Sequence, residues 1–212
     1  MKISQIKIHN YRSITDTTIE AQGYLMLVGA NNTGKSNFIN ALRAFYDELK
    51  WSNDDFPKVG AKDEDSWIEL IFKLSDDEWT GLADKYKKVE TQNVLVVRRY
   101  FKGIKAKASQ SNIYAVIDGE EDDELFYGAK NVSTAKVGNV IYIPAMTTPN
   151  DQIKTSGPSP LRNMLNFMLK KVVENSEAYS SIEAAFKDLN TEANLENGFL
   201  SKIATPINNA LS

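Results

Sequence analysis

Apolar and polar residues alternate at the start of the chain. Ile6 and Ile8 fall between polar neighbours in residues 2–8, the period of a half-buried strand. Asn10-Tyr11-Arg12-Ser13 reads as a turn, and residues 14–21 as its β-prone hairpin partner. Tyr24-Leu25-Met26-Leu27-Val28 is a continuous apolar run, which predicts a strand buried on both faces. After a glycine-rich turn, Phe38, Ile39, Ala41, Leu42, Phe45, Tyr46 and Leu49 recur at helical spacing. Residues 51–66 are polar, carry Pro57 and Gly60, and read as a loop. A strand is predicted over 67–74, and Ser75-Asp76-Asp77-Glu78 has the pattern of a capping box before a short helix. Residues 93–101 and 112–117 read as two more strands, and Val140-Ile141-Tyr142-Ile143-Pro144 as a short buried one. Residues 147–158 are loop-like. Ser159-Pro160 is a strong helix start, with Leu161, Leu165, Met168 and Val172 on one face. A second helix is predicted over 177–189, with Ile182, Phe186 and Leu189 inward.

Composition narrows the class. The chain has 212 residues, 42% hydrophobic and 25% charged, as in soluble globular domains. A charge of −3 is too near neutral for a protein that coats nucleic acid. Cysteine is absent, which removes disulfides, thiolate metal sites and cysteine nucleophiles. A reducing, cytoplasmic setting is compatible with that and is the expectation. No apolar run is long enough to span a membrane. The single histidine, His9, is expected at the surface, at the end of a strand.

The clearest chemical signal is Gly29-Ala30-Asn31-Asn32-Thr33-Gly34-Lys35-Ser36, which satisfies G-x-x-x-x-G-K-[ST]. An apolar run leads into it and an amphipathic helix leaves it. Glycines at 29 and 34 let the backbone amides approach phosphate oxygens. A helix starting near Lys35 aims its free N–H groups and positive dipole end at an anion. Lys35 is expected on the β- and γ-phosphates of ATP, and the Ser36 hydroxyl on Mg²⁺.

The block Ile6-Lys7-Ile8-His9-Asn10-Tyr11-Arg12-Ser13-Ile14, then the loop ending Gly34-Lys35-Ser36-Asn37, then Phe38-Ile39-Asn40-Ala41-Leu42, resembles the start of ABC-type ATPase heads. The likeness is to the group that contains the RecF, SMC and OLD (overcoming lysogenization defect) proteins. Asp55-Phe56-Pro57, Ser66-Trp67-Ile68-Glu69-Leu70, Leu74-Ser75-Asp76-Asp77-Glu78-Trp79 and Ile141-Tyr142-Ile143-Pro144-Ala145 favour the OLD branch. The resemblance covers roughly residues 1–170. It implies an α/β fold: a P-loop NTPase with an N-terminal β-rich subdomain, an antiparallel β insertion and C-terminal helices. It also implies nucleotide contacts from Arg12, Gly29, Ala30, Asn31, Asn32, Thr33, Gly34, Lys35, Ser36 and Asn37. Arg12 would touch phosphate or an opposing subunit; a turn arginine paired with an acid is the plainer reading.

Other parts of such a machine are missing. Ala115-Val116-Ile117-Asp118-Gly119-Glu120 has the polarity of a Walker B strand, but its place suggests an antiparallel hairpin followed by a solvated acidic turn at 118–124. No Leu-Ser-Gly-Gly-like segment exists, and no histidine follows the phosphate loop. Asp118-Gly119-Glu120 and Asp122-Asp123-Glu124 read as loop, not as a Toprim metal site. No catalytic residue is identifiable, so turnover by this chain alone is in doubt. The chain is therefore expected to be one N-terminal ATPase segment, 1–212, of a longer protein. Its parts are 1–50, 51–145 and a mostly helical 146–212. The resemblance implies ATP gating of a DNA endonuclease, often in phage defence, with DNA reached through the full-length protein and a homodimer or higher oligomer. The alternatives are a RecF- or SMC-like repair ATPase without a nuclease and a non-hydrolysing, nucleotide-dependent dimerisation module. A P-loop kinase or GTPase is a further option. GTPases are disfavoured because no Asn-Lys-x-Asp segment exists. Arg98, Arg99, Lys102, Lys105 and Lys107, with Tyr100 and Phe101 between them, could contact DNA or pair with the acids at 118–124.

Overall fold

The structure is a computed structural model that describes residues 1–21, 23–87, 92–144, 159–174, 176, 177, 181 and 184. The chain divides into two compact units, Met1–Val140 and Ile141–Ser212.

The first unit is built on one antiparallel sheet of six strands in the order β2-β1-β3-β4-β5-β6. These are β1 (Lys2–Tyr11), β2 (Ile14–Glu20), β3 (Ser66–Lys73), β4 (Val94–Lys102), β5 (Ile113–Ile117) and β6 (Glu120–Leu125). The register Ile6↔Leu70↔Val97↔Ala115 and Ile8↔Ile68↔Arg99↔Ile113 sets one row of side chains on the core face. Helix α1 (Lys35–Phe45) lays Phe38, Ala41, Ala44 and Phe45 against that face. Each fully buried phenylalanine contributes roughly 1.5–3 kcal/mol. Phe126, Ala129, Val132, Ala135 and Val137 complete the same core. The alternation seen in the sequence is thus real, because only one face of this sheet needs apolar cover.

Charge closes the other face. Lys7 and Arg98 flank Glu69, which is 2% exposed, at 2.9 Å and 2.5 Å. Arg98 also pairs with Glu121 and lies 4.0 Å over the Trp67 ring. Lys105 reaches Glu121 at 3.1 Å, and the Tyr100 hydroxyl donates to the same carboxylate at 2.5 Å. Burial and that acceptor push the Tyr100 hydroxyl up to about 12. Arg99, one residue on, faces the core instead. Its Nη1 donates to the carbonyls of Ala44 and Phe45 at 3.0 and 2.7 Å, so it satisfies the C-terminal end of α1. Four of the five basic residues are therefore engaged by the fold: Arg98 and Lys105 by Glu121, Arg99 by a helix end, and Lys102 by Glu64 at 2.5 Å; Lys107 is exposed.

Four expectations change. The acidic run is not a loop: Glu120–Leu125 is β6, and only Asp118 and Gly119 turn, with φ of 52° and 86°. That is a two-residue hairpin in which both central residues take positive φ. The Walker B look-alike is therefore a hairpin end. Tyr24–Val28 forms no ladder, only an isolated bridge at Tyr24. Leu27 packs on the core, whereas Tyr24, Met26 and Val28 are 78%, 65% and 83% exposed. The run has cover on one side only, because no described strand pairs beside it. Val140 to Pro144 likewise form no strand, and Ile143 is 56% exposed. Finally, His9 is 7% exposed rather than at the surface.

The burial of His9 has a cause. Its Nδ1 faces Asp16 Oδ1 at 2.6 Å, its Nε2 faces Asp63 Oδ1 at 3.0 Å, and its ring stacks on Trp67. Both nitrogens can donate only if the ring is protonated. Burial pulls the His9 pKa down, but hydrogen bonds and charge from Asp63 and Asp16 outweigh it, and the net shift is upward. The His9 hydrogen bond in turn holds the Asp63 carboxyl below its ordinary value. A raised histidine adds stability that is complete below its unfolded value of 6.5 and is lost as pH rises through the folded value. The lowered Asp63 adds stability above 3.8 that is lost as pH falls through its own folded value. The melting temperature is therefore expected to fall by a few degrees, on the order of 2–4 °C, as pH rises past the His9 transition. His9→Gln should flatten that limb; an unchanged profile in the variant would rule out His9 as its source.

The second unit contains α2 (Pro160–Glu174). The Ser159 hydroxyl accepts the Arg162 N–H at 3.1 Å, the cap expected of that residue. The loop predicted over 147–158 and most of the helix predicted over 177–189 lie outside the described residues. Among the described residues no helix is long and apolar enough to cross a membrane.

Candidate functional site

The site forms where α1 begins. Its N-cap is Gly34, at φ 92°, and no side chain caps the helix. Its first turn contains no acid. The first N–H groups of a helix have no intrahelical partner, so this end offers uncapped donors and a positive dipole end. Asn32, at φ 65°, and Gly34 bend the loop back on itself. A side chain at 34 would need the left-handed region that glycine tolerates. Residue 29 has a different reason to be small: a Cβ there would lie 3.1 Å from Thr33 Oγ1.

Lys35 folds over the loop. Its Nζ donates to the Gly29 carbonyl at 2.7 Å, to the Ala30 carbonyl, and to Thr33 Oγ1 at 3.3 Å. Thr33 Oγ1 itself donates to the Ala30 carbonyl at 2.9 Å. Lys35, Thr33 and Ala30 thus stiffen the loop around a cation. Ser36 is exposed, and its hydroxyl has no partner among the described residues. Asn37 Nδ2 donates to Ser13 Oγ at 2.8 Å, tying the β1–β2 turn to α1.

Two cavities flank the loop. One, of about 660 Å³, is polar and is lined by Ser13, Asn31, Asn32, Ser36 and Asn37, with Thr33 to Lys35. The other, of about 600 Å³, lies between β2 and the loop and is lined in part by Thr15, Thr17, Met26, Leu27 and Phe38. Thr33, Gly34, Lys35 and Ser13 line both. Ala30 lines neither, although its carbonyl is held by Lys35 and Thr33.

Arg12 lines neither cavity; its Nε donates to Asp55 Oδ1 at 2.7 Å, and its guanidinium lies 5.5 Å from the Tyr11 ring centroid. Sequence reasoning placed Arg12 in the site and missed Ser13, which is the turn residue that faces the loop. Asp55 was also missed as a partner, although Ser52-Asn53-Asp54-Asp55 has capping-box spacing and could have flagged it. The described residues contain no cluster of three or more His, Asp or Glu able to hold a metal.

A helix N-terminus left bare beside a glycine-bounded loop with an inward lysine defines a P-loop nucleotide-binding ATPase fold. The particular family follows. Residues 1–208 match the AAA ATPase domain, and the chain belongs to that family. It is 28% identical over 132 residues to endonuclease GajA of Bacillus cereus (strain VD045), covering 60% of this chain and 21% of the endonuclease. It is 29% identical over 94 residues to the DNA double-strand break repair Rad50 ATPase of Pyrococcus abyssi (strain GE5 / Orsay), covering 40% of this chain and 10% of that protein. A solved structure from work on ATP-driven dimerization and DNA-stimulated activation of SMC ATPases aligns with a TM-score of 0.47 at 16% identity. It covers 78% of this chain and 96% of that one. The chain spans about a fifth of the first curated relative's length and a tenth of the second's.

Proposed function

We propose that this chain binds ATP and Mg²⁺ at residues 29–37, as the N-terminal ATPase segment of an OLD-like protein in which ATP gates a DNA endonuclease. The observation that carries the nucleotide reading is the uncapped, acid-free start of α1 facing Lys35 and Ser36. Lys35 exchanges the carbonyls of Gly29 and Ala30 for phosphate oxygens. The amides around Gly34, Lys35 and Ser36 hold the remaining phosphate charge, and the Ser36 hydroxyl takes the magnesium ion. Arg12 belongs to the same site through the turn that Ser13 anchors. The ion, when bound, neutralises phosphate charge.

Hydrolysis needs a carboxylate to orient water. Asp118 sits in a hairpin turn and is not placed to supply that group. The endonuclease match supports the nuclease reading. On that reading the complete protein acts on DNA as a homodimer or higher oligomer in the cytoplasm, in phage defence. The Rad50 match keeps a repair ATPase without a nuclease as the second reading. Titration with a fluorescent ATP analogue tests the shared part, and nuclease assays on the complete protein with and without ATP separate the two readings. An ATP-independent nuclease would overturn the gating.

A further inference from the structure

The β1–β2 turn is held more firmly than a hairpin requires. Asn10 and Arg12 have φ of 49° and 53°. Non-glycine residues keep such values when the surroundings impose them. For Arg12 the loop after α1 does so. The Arg12 N–H donates to the Asp55 carbonyl, and its Nε donates to Asp55 Oδ1. Asp55 is 6% exposed, and its other oxygen accepts the Ser52 N–H at 2.9 Å. The carboxylate is thus anchored by its own 3-10 turn, Asn53–Asp55, and fixes the guanidinium from one edge. On the other side of Arg12, Ser13 accepts from Asn37 in the first turn of α1. The segment that starts at the phosphate loop therefore grips one turn twice, through Asn37 and through Asp55.

An arginine has five N–H donors in a planar fork. Asp55 engages Nε alone; no close hydrogen bond holds Nη1 or Nη2, and the guanidinium otherwise meets only the neighbouring Tyr11 ring and hydroxyl among the described residues. The side chain is 31% exposed. Because Ser52 takes the second carboxylate oxygen, Asp55 does not draw an Nη into the paired geometry that arginine and carboxylate favour. Here the acid holds the stem, and the pair of donors suited to phosphate oxygens is left open.

We propose that Asp55 is a positioning residue for the nucleotide site: by holding Nε it presents the Nη pair of Arg12 to the phosphate chain on loop 29–36. This rests on the reading of that loop as a nucleotide site and adds to it a buried acid outside the motif.

The test is a set of dissociation constants for a fluorescent ATP analogue with Mg²⁺, measured on the 212-residue chain. Asp55→Asn keeps the shape and one acceptor but removes the charge, and is expected to weaken binding about tenfold. In an Arg12→Ala background the same change should cost nothing further. An equal loss with and without Arg12 would mark a merely structural clasp and overturn the proposal, as would unchanged affinity in Asp55→Asn. If Asp55→Asn does not fold, Arg12→Lys decides. It keeps the charge but cannot engage Asp55 and phosphate with one planar group, so it should bind as weakly as Arg12→Ala; native affinity would overturn the proposal. Native binding lost in Lys35→Ala but untouched by Asp55→Asn sinks only the positioning role. No Lys35-dependent binding by the native chain sinks the nucleotide reading and this proposal together.

Discussion

Lys35→Ala is expected to weaken binding of a fluorescent ATP analogue by about 100-fold or more. The reason is the number and kind of bonds that change hands. Lys35 Nζ now spends its donors on two carbonyls and a hydroxyl of its own loop. Those neutral acceptors can be exchanged for anionic phosphate oxygens, where hydrogen bonds to a charged group contribute about 1.5–3 kcal/mol each. Losing two such bonds corresponds to at least a hundredfold in the dissociation constant. The fold should not suffer, because every Lys35 partner lies within residues 29–33. A melting temperature close to that of the native chain is thus part of the expectation. Ser36→Ala should show its loss mainly when magnesium is present, since its hydroxyl holds no other group. Native affinity in Lys35→Ala, with the fold intact, would remove the phosphate loop from the functional account.

Much of this site was legible in the chain because it is local. Residues 29–37 and the helix after them are contiguous, and the conformations of Asn32 and Gly34 and the bare start of α1 follow from short-range rules. The strands were legible for the same reason. Their apolar residues alternate, and only one face of the sheet meets the core. What failed depended on distant pairing. Tyr24–Val28 has the composition of a strand covered on both faces, but cover is a property of neighbours, and the described residues supply it on one side only. His9 looked like a surface residue at a strand end, yet Asp16 on β2 and Asp63 in the loop before β3 converge on its two nitrogens. Arg98 and Arg99 are adjacent in the chain and identical in type. Strand alternation sends one to a charged face and the other to the end of α1, and no local pattern separates those fates. The Arg12–Asp55 pairing spans 43 positions and was invisible for the same reason.

The largest effect on stability is expected at Glu69. It is 2% exposed, sits between Lys7 and Arg98 on the face opposite α1, and accepts from both Nε and Nη2 of Arg98. Glu69→Ala removes the buried anion that Lys7 and Arg98 share, and leaves Arg98, its side chain 20% exposed, with Glu121 as its remaining carboxylate. Breaking a buried pair from one side costs about 3–5 kcal/mol. Discounted for the partial exposure of Lys7 and Arg98, about 3 kcal/mol is the expectation, or roughly 6–12 °C in melting temperature for a chain of this size. Arg98→Met should be costly for the complementary reason, because Glu69 keeps only Lys7 at 2.9 Å. The double change Glu69→Leu with Arg98→Met should then cost clearly less than the sum of the single changes. Both desolvated charges leave together, and apolar side chains can lie against Trp67 and Val96 in their place. Additive losses would mean that the two side chains act separately. The DNA-contact reading of Arg98 would then regain its footing.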